Sequence, residues 1–142
     1  MRRFLAALQF LTICPLPRGW RWGEEDLGRS VPCFPAVGLL IGLAAAGWAW
    51  GLGGLLPAGP ASVLTAIGLI GGSRGRQLDG LSDTADGFLS SKSRERMLEI
   101  MRDSHVGAMG VIAVVSVVGL KVAALASLSE GLRWRAALLM PV

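Results

Sequence analysis

The chain has 142 residues, is 52% hydrophobic and only 17% charged, and carries a formal net charge of +4. That length suffices for one modest domain, and the charge falls well below the roughly 25% of an ordinary soluble domain. The basic residues form no face interleaved with aromatics, which excludes nucleic acid as a partner class. The two cysteines, Cys14 and Cys33, show neither a CxxC pair nor His/Cys ligand spacing and are read as free thiols.

In chain order, Arg2-Arg3 precede an apolar stretch from Phe4 to Ile13. At about ten residues it is too short to span a bilayer. No small-x-small cleavage site follows, and Pro15 and Pro17 break it, so an uncleaved interfacial or re-entrant helix is expected. Residues 18–30 form a polar connector. Between Arg29 and Arg74 there is no charged residue, which reads as most of two membrane spans. Span one is expected from Phe34-Pro35 to about Leu56, with Gly38/Gly42 and Gly47/Gly51 as GxxxG pairs that let helix backbones approach closely. Pro57 to Pro60 form a turn. Span two starts near Ala61, and its purely apolar part ends at Gly72, about 18 Å along a helix. Crossing a core of about 30 Å requires it to continue to about residue 80. Arg74 and Arg76 then snorkel to the headgroups, and Asp79 sits at the membrane–water boundary.

Residues 88–105 are polar, with an amphipathic pattern over Arg94 to Asp103. Span three covers about Gly107 to Leu128 and contains one charge, Lys121. A connector with Arg133 and Arg135 follows, and Ala136 to Val142 reads as the first turns of a further span. The expected fold is all-α: a polytopic transmembrane bundle of about three spans plus the start of a fourth, forming one membrane domain over 1–142. Five basic residues in the N-terminal region and six in 74–105, eleven of fourteen in all, can lie on one side; that side is expected to be cytoplasmic.

The chemistry-bearing segment is Leu78-Asp79-Gly80-Leu81-Ser82-Asp83-Thr84-Ala85-Asp86-Gly87. Offsets of 0, 4 and 7 bring Asp79, Asp83 and Asp86 onto one helix face. Carboxylates at a membrane edge are costly and usually functional. Mg²⁺ is the natural occupant, because it takes one or two carboxylates and completes its shell with water and phosphate oxygens. One aspartate could also accept a proton from an attacking hydroxyl. The alternative is a solvated acidic helix end balanced by Arg74, Arg76 and Lys92. Glu99 and Asp103, also four apart, are either a second metal site or ordinary ion pairs with Arg96 and Arg102. His105 reads as an interfacial residue. Lys121, well inside span three, must face a cavity, an acid or an anionic ligand.

Four segments occur in an order that resembles a known family: Phe4 to Thr12, Phe34-Pro35-Ala36-Val37-Gly38, Leu78 to Gly87, and Ile100-Met101-Arg102-Asp103-Ser104-His105-Val106-Gly107. Together they resemble cobalamin synthase, the adenosylcobinamide-GDP ribazoletransferase family, over essentially the whole chain. The resemblance implies the last assembly step of adenosylcobalamin. A hydroxyl of α-ribazole, or of its 5′-phosphate, attacks the phosphate attached to cobinamide and GMP leaves. It also implies Mg²⁺ and residence in the bacterial or archaeal inner membrane, with the acidic site facing the cytoplasm. By the match, Asp79, Asp83 and Asp86 become the catalytic and metal site, joined by Asp103 and more weakly by Glu99. Gln77, Arg74, Arg76 and Lys121 become the substrate-binding set. Expected partners are the corrinoid nucleotide, α-ribazole and the lipid bilayer; a homo-oligomer is compatible with this. The family usually has His immediately before Leu-Asp-Gly, where this chain has Gln77, which can hydrogen-bond but cannot shuttle a proton near neutral pH. Family members are considerably longer, so the chain reads as an N-terminal portion or a truncated member. Two other readings are a CDP-alcohol phosphotransferase-like enzyme, whose Asp-Gly-x-x-Ala-Arg pattern the Asp79 segment lacks, and an inactive membrane remnant.

Overall fold

A computed structural model describes residues 2–14, 24–73, 75–103 and 105–140, with the side chains of Glu24 and Glu25 left out. Among the described residues there are helices and no strands: α1 (Arg2–Leu11), α2 (Glu24–Gly28), a 3-10 turn (Val31–Cys33), α3 (Phe34–Gly53), α4 (Ala58–Gly72), α5 (Arg76–Phe88), α6 (Arg94–Ile100), α7 (Ala108–Ser127) and α8 (Glu130–Leu139). The chain forms two compact units, one of residues 1–74 and 122–142, the other of residues 75–121.

The first unit is built on α3. Pro35 lies in the first turn of α3, where its missing N–H costs no hydrogen bond. The core joins Ala45 and Ala49 of α3 to Ala137 of α8, with Leu69 of α4 and Trp134 of α8 packed against them. Small side chains let these backbones come close. At Gly42 the approach is closest, since a Cβ there would collide with the backbone carbonyl of Leu138. Of the two GxxxG pairs, Gly38 and Gly42 are therefore buried and Gly42 admits a neighbouring backbone, whereas Gly47 and Gly51 face open space. Gly42→Leu is expected to prise α8 from α3 and destabilise the unit by about 1–3 kcal/mol. Thermal unfolding in detergent checks this, and an unchanged transition temperature would contradict it. α1 is amphipathic, buries Ala6 and Ala7, and stacks Phe10 on Phe34 at 5.9 Å between ring centroids.

Two expectations change here. Span two does not run on to residue 80. α4 stops at Gly72, and Gly75 takes a left-handed φ of 64° before α5 begins. The cause is local: Gly71-Gly72-Ser73 weakens the helix and Gly75 adopts a conformation costly for other residues. Asp79 thus lies in the first turn of a separate, amphipathic helix, not at the tip of a long apolar one. Arg133 and Arg135 likewise are not in a connector. They belong to α8, which starts at Glu130 and packs along α3 because Arg133, Ala137 and Trp134 present an inward stripe.

Two helical stretches, Asp26–Gly53 and Ala108–Ser127, are long and apolar enough to cross a membrane; Ala58–Gly72 is apolar but shorter. Only 11% of the α7 window is buried, and Val111, Ile112, Val115 and Leu120 are all more than half exposed. Outward-facing apolar residues at this density suit a lipid-facing helix and not the core helix of a soluble domain.

Candidate functional site

The second unit carries the acidic motif. α5 sets Asp79, Asp83 and Asp86 within an arc of roughly 60°, as its residue rotation requires. Asp79 is exposed in the first turn, where the positive end of the helix dipole favours a carboxylate. Asp83 and Asp86 are half-buried.

Asp86 has a defined task. Its Oδ2 accepts from the amide of Gly107 at 2.7 Å and its Oδ1 from the amide of Gly110 at 2.8 Å. Gly107 immediately precedes α7, and Gly110 is its third residue. These are the two orphan donors that a capping box normally satisfies from within the helix. Gly107 has no side chain to offer, so the carboxylate comes from α5. The fit depends on both glycines: a Cβ on Gly107 would fall 2.7 Å from Asp86 Cγ, and one on Gly110 would fall 3.0 Å from it and collide with Ser82 Oγ. Ser82 is itself buried, and its hydroxyl has no hydrogen-bond partner among the described residues. Gly87 serves a different contact, since a Cβ there would run into Met101 and sit 3.3 Å from Met97 Cγ beneath α6. Gly80, by contrast, faces open space.

The remaining candidates are dispersed. Gln77 and Arg76 are exposed on α5, and Arg74 lies outside the described residues. Lys121 is half-buried on α7. Glu99 pairs with Arg96, both well exposed. Asp103 is bound to His105 Nδ1 at 2.6 Å and also accepts the His105 amide at 3.2 Å. Among the described residues no group of three His, Cys, Asp or Glu side chains gathers to hold a metal ion. The carboxylates of Asp79, Asp83 and Asp86 share a face, yet that of Asp86 is turned into the head of α7. Hard carboxylate donors from Asp79 and Asp83 suit Mg²⁺, which needs only one or two.

The Asp103–His105 pair has a pH signature. The hydrogen bond from His105 holds the Asp103 carboxyl below its ordinary 3.8, and the same bond holds His105 above its ordinary 6.5. The Asp103 contribution is present above 3.8 and fades as pH falls through its lowered value. That of His105 is complete below 6.5 and fades as pH rises through its raised value. The pair is therefore strongest between these limits. An NMR titration is expected to place His105 above 6.5, with Asp103→Asn returning it toward that value. An unshifted wild-type histidine would contradict the pairing.

Sequence patterns did not single out Gly110, and they carried Ser82, Met97, Met101 and Gly107 only as members of longer motifs or of an apolar pattern. The available signal was the Gly107-x-x-Gly110 spacing at the head of an apolar run that lacks a capping side chain of its own at Gly107.

No solved structure matches the chain. Among curated relatives, the adenosylcobinamide-GDP ribazoletransferase of Geotalea daltonii is 42% identical over 142 residues, covering 100% of this chain and 57% of the relative. That of Roseiflexus sp. is 46% identical over 126 residues, covering 87% of this chain and 46% of the relative. The Escherichia coli enzyme of the same name is 40% identical over 128 residues, covering 89% and 52% respectively. The chain thus spans about half the length of the curated relatives it matches. The family model described as cobalamin-5-phosphate synthase matches residues 3–142, and the chain belongs to that family.

Proposed function

We propose that this chain takes part in joining adenosylcobinamide-GDP to α-ribazole, or to its 5′-phosphate, at the cytoplasmic face of a bacterial or archaeal inner membrane, as a multi-pass protein. The single observation that carries the site assignment is the α5 face, where Asp79 and Asp83 stand free of the backbone contacts that engage Asp86. In the proposed step the ribazole hydroxyl oxygen bonds to the phosphorus attached to cobinamide. The bridging P–O bond breaks, GMP departs with that oxygen, and the hydroxyl proton passes to a carboxylate.

Asp79 and Asp83 would hold Mg²⁺ and accept the proton. When bound, Mg²⁺ supplies charge neutralisation on the transferring phosphate. Asp86 keeps α7 docked on α5, which fixes the wall beside these carboxylates. Arg76 and Gln77, on the first turn of α5, are placed to meet phosphate oxygens and a polar substrate edge; Arg74 and Lys121 complete the proposed substrate-binding set. Glu99 and Asp103 are engaged by Arg96 and His105 and contribute by ordering the 94–107 segment, ahead of any direct role at a metal. The GxxxG face used by α8 leaves no support for a homo-oligomer through Gly42.

The test is an assay of membranes carrying the chain with adenosylcobinamide-GDP, α-ribazole and Mg²⁺. GMP release that matches corrinoid product and stops on chelation is expected. Product without GMP, or neither, would overturn the reading.

A further inference from the structure

Arg133 is a cation that the acidic site does not use. It is 3% exposed on α8, with Nε donating to the carbonyl of Leu125 at 3.2 Å and Nη2 to that of Leu128 at 3.1 Å. These carbonyls belong to the end of α7 and the residue just after it, so the guanidinium sits at the negative end of a helix dipole. Its Nη1 is buried and has no hydrogen-bond partner, and no carboxylate pairs with Arg133 among the described residues.

Nη1 lies beside Gly53, where a Cβ would be 3.9 Å away. There the missing side chain helps open a cavity of about 470 Å³ between the ends of α3 and α8, walled by Trp50, Gly51, Gly53, Gly54, Glu130 and Trp134. Trp50 is 74% exposed, and the Arg135 guanidinium lies 5.3 Å from the Trp134 ring centroid. Tryptophans and arginines at helix ends are the residues found at headgroup level in membranes. A planar N–H edge at the base of such a pocket matches a phosphate oxygen better than a neutral ligand. Glu130 is the one carboxylate on the wall. It is exposed, and it opposes an anion without pairing to Arg133.

We propose that this pocket is a phosphate-binding site, separate from the α5 carboxylates, in which Arg133 Nη1 donates to a phosphate oxygen seated against Gly53. The phosphate belongs either to an anionic lipid headgroup or to a free anion.

The chain is purified in a maltoside detergent and titrated separately with short-chain phosphatidylglycerol and with inorganic phosphate, with bound ligand read by native mass spectrometry. Arg133→Gln is expected to weaken binding by about tenfold or more. Because that change also removes two carbonyl contacts, Gly53→Leu is measured beside it. This variant fills the pocket while leaving the Arg133 carbonyl bonds in place and should weaken binding similarly. Glu130→Gln should strengthen it. Retention of phosphatidylglycerol alone assigns a headgroup, and retention of inorganic phosphate assigns a free anion; both support the site. Binding of neither ligand by the unmodified chain, or undiminished binding by Gly53→Leu, overturns it.

Discussion

On the proposed function, Asp83→Ala is expected to lower GMP release by about a thousandfold or more, because losing a carboxylate proposed to hold the metal would forfeit several kcal/mol of charge stabilisation and each 1.4 kcal/mol is about tenfold in rate. The fold should survive. Asp83 is half-buried on the face of α5, and among the described residues its carboxylate holds no helix end, in contrast to its neighbour one turn on. Asp79→Ala should behave similarly, since its carboxylate is exposed in the first turn of α5. The informative measurement is the Mg²⁺ concentration needed for half-maximal rate. Asp83→Asn should raise it strongly, because an amide oxygen is a much poorer partner for a hard cation than a carboxylate. GMP release that persists in Asp83→Ala at ordinary Mg²⁺ would remove this residue from the chemistry.

Asp86 is expected to respond in a different way. Its carboxylate replaces the missing cap of α7, so Asp86→Ala leaves the Gly107 and Gly110 amides unpaired and should cost about 1–3 kcal/mol. Activity should fall with it, as α7 loosens beside the acidic face. Asp86→Asn keeps one acceptor oxygen but turns an NH2 donor toward the other amide, so it should also cost about 1–3 kcal/mol. Its half-maximal Mg²⁺ should stay near that of the unmodified chain. Asp86→Glu retains the charge but pushes it one methylene further into a space already closed by Gly110 and Ser82, so it should be destabilised as well. A residue acting mainly as a metal ligand would instead raise the half-maximal Mg²⁺ in Asp86→Asn while leaving thermal stability unchanged. Gly110→Ala offers an independent check. It leaves every carboxylate in the chain yet displaces Asp86, and it should reproduce the Asp86→Ala loss in thermal stability. An unaltered Gly110→Ala protein would argue against the cap.

The acidic motif was legible in sequence because helical periodicity alone puts offsets of 0, 4 and 7 on one face. Its division of labour was not. Spacing treats Asp79, Asp83 and Asp86 as equivalents, and only the meeting of α5 with the head of α7, more than twenty residues downstream, commits the last of them to backbone amides. The same limit applies to the glycines. Gly80 and Gly87 look alike in sequence, each following an aspartate, but one faces open space and the other makes room for Met101. Among the GxxxG pairs, only Gly42 is pressed by another backbone.

An all-helical, strongly apolar chain, the start of α3 at Phe34, the extent of α7 to within a residue or so, and membership of a family whose motifs survive in order are all readable from the linear chain. These features follow from local preferences and from runs of uncharged residues, which a linear reading can sum. The structure was needed to show where the 61–80 region breaks, that Arg133 is buried and not in a connector, and which aspartate caps a helix. The break is a local contest between a glycine turn and helix continuation, whereas the other two are balances between separate elements: a cation against two carbonyls, and a carboxylate against two unpaired amides.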